Sequence, residues 1–133
     1  MMIAVVSCSK RKQSYPCTAV EMYGCSVLFK KAISYCHSKK YDCIYILSCK
    51  YNLLRLDDQI EPYDLTINDL TKKQKQDWAA KTTEMLGKAV TEQDTVDFFC
   101  GKHYLNGVIQ NIKNARDVLR GLGIGERLRF LGK

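Results

Sequence analysis

Three short apolar segments of this chain run out into the same kinds of residue: Ser7-Cys8-Ser9-Lys10, Ser48-Cys49-Lys50 and Cys100-Gly101-Lys102. Hydroxyl and ammonium groups gathered in one place bind phosphate or carboxylate through charge-assisted hydrogen bonds. A thiol beside lysines has its pKa lowered and its nucleophilicity raised. Cys8, with Lys10 and Lys12 close in sequence, is the candidate nucleophile; the alternative is a buried packing thiol. Ser7, Ser9, Lys10, Lys12, Ser48, Lys50 and Gly101 form the candidate phosphate- or substrate-binding set. Cys8, Cys49 and Cys100 could together supply a three-thiolate metal site, but the paired CxxC spacing of such sites is missing. No metal and no cofactor is expected.

The segment Ile60-Glu61-Pro62-Tyr63-Asp64-Leu65 adds a rigid turn, an aromatic face and a carboxylate. Tyr63 could stack on a base and Asp64 could activate a water; equally, Tyr63 could pack and Asp64 cap the next element. Tyr51 and Tyr23 are further stacking candidates. Gly121-Leu122-Gly123-Ile124-Gly125 precedes a helical pattern, so the amides of Gly123 and Gly125 could approach an anion at a helix N-terminus. A close-packed turn is the alternative, and no dinucleotide fingerprint is present because no strand and acid follow. His103 could act as a general acid or base, or simply open a helix.

These residues need a scaffold that brings them together. Met2–Ser7, Cys43–Ser48 and Thr95–Cys100 are short, β-branched or aromatic, and apolar on both faces, the pattern of central strands in a parallel sheet. Between the first two, the spacing of Leu28, Phe29, Ala32, Ile33 and Cys36 predicts a helix over Ser26–Ser38, capped by Ser26. Thr71 with Gln74 forms a capping-box pattern before a helix carrying Trp78, Thr82, Met85 and Leu86, with Gly87 near its end. A third helix is predicted over Lys102–Ile112, a final one over Glu126–Leu131, and a weak fourth strand near Arg116–Leu119. The fold class expected is a single α/β domain over residues 1–133, a three-layer α/β/α sandwich with a short, mainly parallel sheet. The connections Cys8–Cys25 and Cys49–Leu70 are long and leave carboxyl ends of strands, where open α/β sheets place their ligands.

The 133 residues suffice to bury a core without disulfides or metal. No apolar run reaches the roughly 20 residues of a membrane span, and the N-terminus lacks the basic region of a signal peptide. Seven cysteines, an odd number, fit a reducing cytoplasm better than a secreted disulfide framework. The net charge of +7 is uneven: residues 1–55 hold nine Lys or Arg against two acids, and the remainder twelve of each sign. A one-sided basic field suits nucleic acid, nucleotide or phosphate; a generally basic soluble surface is the alternative.

SCSKRK at 7–12, MYGCSVLFKKA at 22–32, YILSCKYNLL at 45–54, PYDLTINDL at 62–70 and GLGIGERLRFL at 121–131 resemble a family of small domains of unknown function. Its pattern is CSxxK, LSxKYGLL, PYDxT and GLGIGxxL, and Asn52 stands where that pattern usually has Gly. A more distant resemblance is to the central domain of archaeosine synthase, through the Cys-x3-Lys spacing of Cys8 and Lys12. It implies a uracil-DNA glycosylase-like sandwich and a role near modified nucleobases. The expected function is therefore a nucleobase, nucleoside or nucleic-acid processing enzyme, cleaving or exchanging a glycosidic bond or modifying a deazaguanine-type base. The alternative is a non-catalytic nucleotide or nucleic-acid binding module using the same crevice. A phosphohydrolase ranks last, for want of an acidic metal cluster.

Overall fold

The computed structural model describes residues 1–132. The chain forms β1 (Met2–Ser7), β2 (Cys17–Thr18), α1 (Ala19–Met22), α2 (Val27–Ser38), β3 (Cys43–Ser48), β4 (Asn52–Arg55) and β5 (Gln59–Ile60). A 3₁₀ turn at Ile67–Asp69 leads to α3 (Lys72–Ala89), β6 (Thr95–Phe99), α4 (Lys102–Leu105), a second 3₁₀ turn at Ile109–Asn111, β7 (Ala115–Asp117) and α5 (Ile124–Leu131).

The main sheet has the order β4-β3-β1-β6-β7, parallel except for β4, which pairs antiparallel with β3. Helices cover both faces because the strands bury both. Ala4, Val6, Ile46 and Phe99 pack against Phe29, Ala32, Ile33 and Cys36 of α2 and Leu131 of α5. On the other side Ile3, Val5, Leu47, Val96 and Phe98 pack against Trp78, Ala79 and Leu86 of α3. The Ser26 hydroxyl accepts from the Phe29 amide (3.3 Å) at the start of α2. Thr71 and Gln74 cap α3 reciprocally, at 3.2 and 2.8 Å. Among the described residues, no helix is long and apolar enough to cross a membrane.

Strand β1 is the hinge of the topology: the chain passes to β3 on one side of it and later returns to β6 on the other. The loops after β1 and β6 thus diverge and leave a crevice at their carboxyl ends. The two long connections carry secondary structure of their own. The first contains β2 and α1, the second β4 and β5, and β2 pairs antiparallel with β5 across Cys17 and Ile60. That short ladder clasps the two loops to each other. Two-residue strands carry no periodicity, so nothing in the sequence announces them.

Asn52 has a φ of 65°, the left-handed conformation that disfavours residues other than Gly and Asn. Its side-chain amide donates to Thr82 Oγ1 at 3.0 Å, tying β4 to α3. The predicted helix over Lys102–Ile112 is broken instead. Asn106 turns extended and Gly107 takes a φ of 85°, where a Cβ would stand 3.0 Å from that of Ala79. The third strand ends at Phe99, the fourth lies at Ala115–Asp117, and the last helix starts at Ile124, two residues before its predicted start.

Candidate functional site

The ends of β1 and β3 lie side by side, since the Cys8 amide continues the ladder by donating to the Leu47 carbonyl at 2.8 Å. Around them five side chains form a hub. Tyr23 and Tyr63 share a hydrogen bond of 2.7 Å between hydroxyls. The Ser48 hydroxyl lies 3.0 Å from the first and 3.1 Å from the second. Cys8 Sγ is 3.2 Å from the Tyr104 hydroxyl and 4.0 Å from that of Tyr63. Ser48 is held from two further sides. Its hydroxyl accepts from the Tyr51 amide at 3.1 Å, and its carbonyl accepts from Trp78 Nε1 at 2.9 Å. The Trp78 ring in turn stands edge-on to Tyr104, with centroids 5.7 Å apart.

Two ammonium groups cover the hub. Lys12 Nζ sits 4.5 Å from the centroid of the Tyr63 ring and donates to the Lys10 carbonyl at 3.1 Å. Lys50 Nζ lies 5.3 Å from the Tyr51 ring and 5.8 Å from that of Tyr63. Next to the hub, at the crevice beside β1 and β6, is a cavity of about 240 Å³. Ser7, Cys8, Ser9, Lys10, Ser26, Gly101 and Arg127 supply its polar lining, and Leu28, Phe29, Phe99, Leu119 and Leu131 its apolar walls. Arg127 is braced by donating from Nε to the Leu122 carbonyl at 3.0 Å.

The crevice therefore brings together Ser7, Cys8, Ser9, Lys10 and Gly101, while Lys12, Ser48, Lys50, Tyr51 and Tyr63 cluster at the adjoining hub. The Ser9 hydroxyl is already committed to backbone carbonyls, at 2.6 Å to Arg11 and 3.3 Å to Tyr23. The Tyr51 hydroxyl is bound to the Glu61 backbone, accepting from its amide at 3.2 Å. Asp64 is exposed and, among the described residues, makes no side-chain hydrogen bond or ion pair. Gly123 and Gly125 lie at the exposed start of α5 outside the cavity lining, and the Gly123 amide is taken by Glu126 Oε1 at 3.2 Å. Sequence reasoning missed Tyr104 and Arg127, and placed Trp78 only on the face of its helix. Tyr104 was within reach, two residues beyond Lys102; Arg127 arrives from the far end of the chain.

The model of a family of unknown function, DUF6884, matches residues 3–133. The chain belongs to that family. No curated protein matches it.

In this DUF6884 protein the strand-end thiols are not equivalent. Burial pushes the Cys49 thiol up to about 11, helped by the neighbouring Cys8 sulfur and opposed by Lys12. Burial also raises Cys100 strongly, and its Sγ donates to the Val5 carbonyl at 3.4 Å. Both are packing thiols held protonated at neutral pH. Cys8, 9% exposed, is the one of the three that lines the cavity. Among the described residues no group of three His, Cys, Asp or Glu could hold a metal ion.

Burial, and then the Cys8 sulfur, raise the ionisation of Tyr63 and Tyr104 well above the usual phenol range; Tyr23 shifts the same way for the same causes. All three remain donors through neutral pH. Their folded pKa values lie above the unfolded value of 10, so their contribution to stability is complete below pH 10 and is lost as pH rises beyond it. Each proton retained only by the folded state steepens that loss by about 1.4 kcal/mol per pH unit. Tyrosinate absorbance is expected to show these three ionising late, together with unfolding. Phe at any of the three should remove one residue from that late class; all eight tyrosines titrating freely near 10 in the folded protein would contradict the buried hub.

Proposed function

We propose that this DUF6884 protein processes a nucleobase-bearing, negatively charged ligand at the β1–β6 crevice, with Cys8 as covalent nucleophile. The observation that carries the proposal is the setting of Cys8 Sγ: at the edge of a cavity also lined by the cations Lys10 and Arg127, with a phenolic hydroxyl at 3.2 Å. A cavity of about 240 Å³ falls below the roughly 300–1,000 Å³ of whole-ligand sites. It admits a base or a sugar phosphate rather than an entire nucleotide. Phe29 and Phe99 offer flat apolar surface; Lys10 and Arg127 offer charge for a phosphate, Arg127 as a planar fork. The Cys-x3-Lys resemblance of Cys8 and Lys12 to the archaeosine synthase central domain, with the uracil-DNA glycosylase-like sandwich it implies, supports nucleobase chemistry.

The reaction favoured is cleavage or exchange of a glycosidic bond. Cys8 sulfur bonds to the sugar carbon as the carbon–nitrogen bond breaks, and the thiol proton passes to the departing base nitrogen, while the Tyr104 hydroxyl holds the sulfur in place. Water or a second base then releases the sugar from sulfur. Asp64, exposed and unpaired among the described residues, takes no part in this scheme. A non-catalytic binding module is favoured by a different observation: Tyr23, Tyr63 and Ser48 already satisfy one another, as a structural hub would.

A thermal-shift comparison tests the ligand class. Nucleosides, nucleoside monophosphates and deazaguanine bases are offered to the wild type and to a Lys10→Ala, Arg127→Ala variant. A monophosphate at about 100 times its Kd should stabilise the wild type by roughly 2.7 kcal/mol. The variant should lose most of that response while keeping its unliganded melting temperature. No response to any of these compounds by the wild type would sink the proposal.

A further inference from the structure

A larger cleft, of about 890 Å³, lies on the other side of α4, between α3 and the segment that runs from α4 to Asn111. Its lining holds Lys72, Lys75, Lys102 and His103 against the single acid Asp117. Among the described residues none of the three lysines is in an ion pair. Gln76 and Asn106 add amide groups to the same lining. Repeated cations with amide donors suit a ligand bearing repeated negative charges, and a phosphodiester chain is such a ligand.

One wall is preformed. Gly107 packs flush on Ala79, and its carbonyl accepts from Thr83 Oγ1 at 3.2 Å and Asn111 Nδ2 at 3.0 Å. Its amide donates to Gln110 Oε1 at 2.9 Å. The cleft is also joined to the crevice by a single turn of helix. Lys102 and His103 of α4 face the cleft, while Tyr104, the next residue, reaches Cys8.

We infer that the α3–α4 cleft holds the sugar-phosphate backbone of a single-stranded nucleic acid whose reacting base enters the Cys8 cavity. The inference rests on the proposed nucleobase chemistry and names its substrate class: a nucleotide within a strand, not a free nucleoside. A single strand is favoured because its bases reach a surface cavity without the cost of flipping out of a duplex.

The test uses fluorescence anisotropy of a labelled single-stranded dodecanucleotide, DNA and RNA in parallel, titrated with the full chain at several salt concentrations. Lys75→Ala with Lys102→Ala is expected to weaken binding about tenfold and to reduce the slope of log K against log salt by about 1.4, the loss of two phosphate contacts on a single strand. The Lys10→Ala, Arg127→Ala variant, read with a mononucleotide by thermal shift, reports the Cys8 cavity independently. Wild-type affinity and slope in the cleft variant would overturn the cleft while leaving the crevice standing. Loss of mononucleotide response with no oligonucleotide bound by the wild type would do the same. No binding of either probe by the wild type would remove both proposals. Tighter binding to a duplex than to the single strand would refute the strand assignment.

Discussion

Replacing Cys8 by Ser is expected to lower turnover by at least about 10³-fold in kcat, the scale seen when the covalent nucleophile of an enzyme is removed. Oxygen in place of sulfur keeps the polar contact with Tyr104 but not the nucleophilicity. Release of free base from nucleosides and oligonucleotides, followed chromatographically, is the measurement; nucleotide affinity of the variant should stay within about twofold of wild type. Undiminished turnover would exclude the thiol from the chemistry. Equal loss of affinity and turnover would reduce Cys8 to a packing residue, which its partial contact with the hub also permits. Failure of the wild type to release base from any substrate, with binding intact, would establish the non-catalytic module. The thiol is a sharp test because Cys49 and Cys100, its neighbours on adjoining strands, are held protonated by burial and cannot substitute for it.

The same contrast shows what was legible in the sequence. Met2–Ser7 and Cys43–Ser48 are continuous apolar runs, and such runs have one economical home, the middle of a parallel sheet. Parallel pairing then obliges Ser7 and Ser48 to finish on one edge, so the sequence alone places Cys8, Ser48 and their lysines together. Legibility fails where position depends on a contact distant in the chain. Arg127 joins the cavity only because α5 packs on α2. Tyr104 points at Cys8 only because Gly107 stops α4 after one turn and lets Trp78 support its ring. Strand β4 begins in a left-handed residue, Asn52, immediately after the turn leaving β3, and a four-residue strand behind such a turn has too little periodicity to declare itself. Pro62-Tyr63-Asp64 illustrates the converse: a motif with three chemically useful residues of which the fold brings Tyr63 inward and leaves Asp64 on the surface.

Removal of the Arg116 guanidinium is expected to have the largest effect on stability of any change to an exposed side chain. Asp97, in the middle of β6, is 2% exposed. Its carboxylate accepts from Arg116 Nε at 2.5 Å and from the Arg116 terminal nitrogen at 2.7 Å, and from the Tyr41 hydroxyl at 2.5 Å. Arg116 itself is 60% exposed, so its charge is largely hydrated and the pair is worth little as an attraction between surface ions. The asymmetry lies with Asp97. Arg116→Ala strands a buried carboxylate with one phenolic donor, a change that costs about 3 kcal/mol and lowers the melting temperature by roughly 10 °C in a domain of this size. Tyr41→Phe, which leaves the guanidinium fork in place, should cost about 1 kcal/mol. Pairing Arg116→Ala with Asp97→Leu should recover most of the loss, because an apolar side chain needs no partner there. A fall of only a degree or two for Arg116→Ala would mean that water reaches Asp97 once the arginine is gone. Asp97 lies mid-strand, paired with Ala4, and neither it nor Arg116 lines the cavity beside Cys8. Nucleotide response should therefore survive in every one of these variants at temperatures below their melting, which separates what holds the sheet together from what the crevice does.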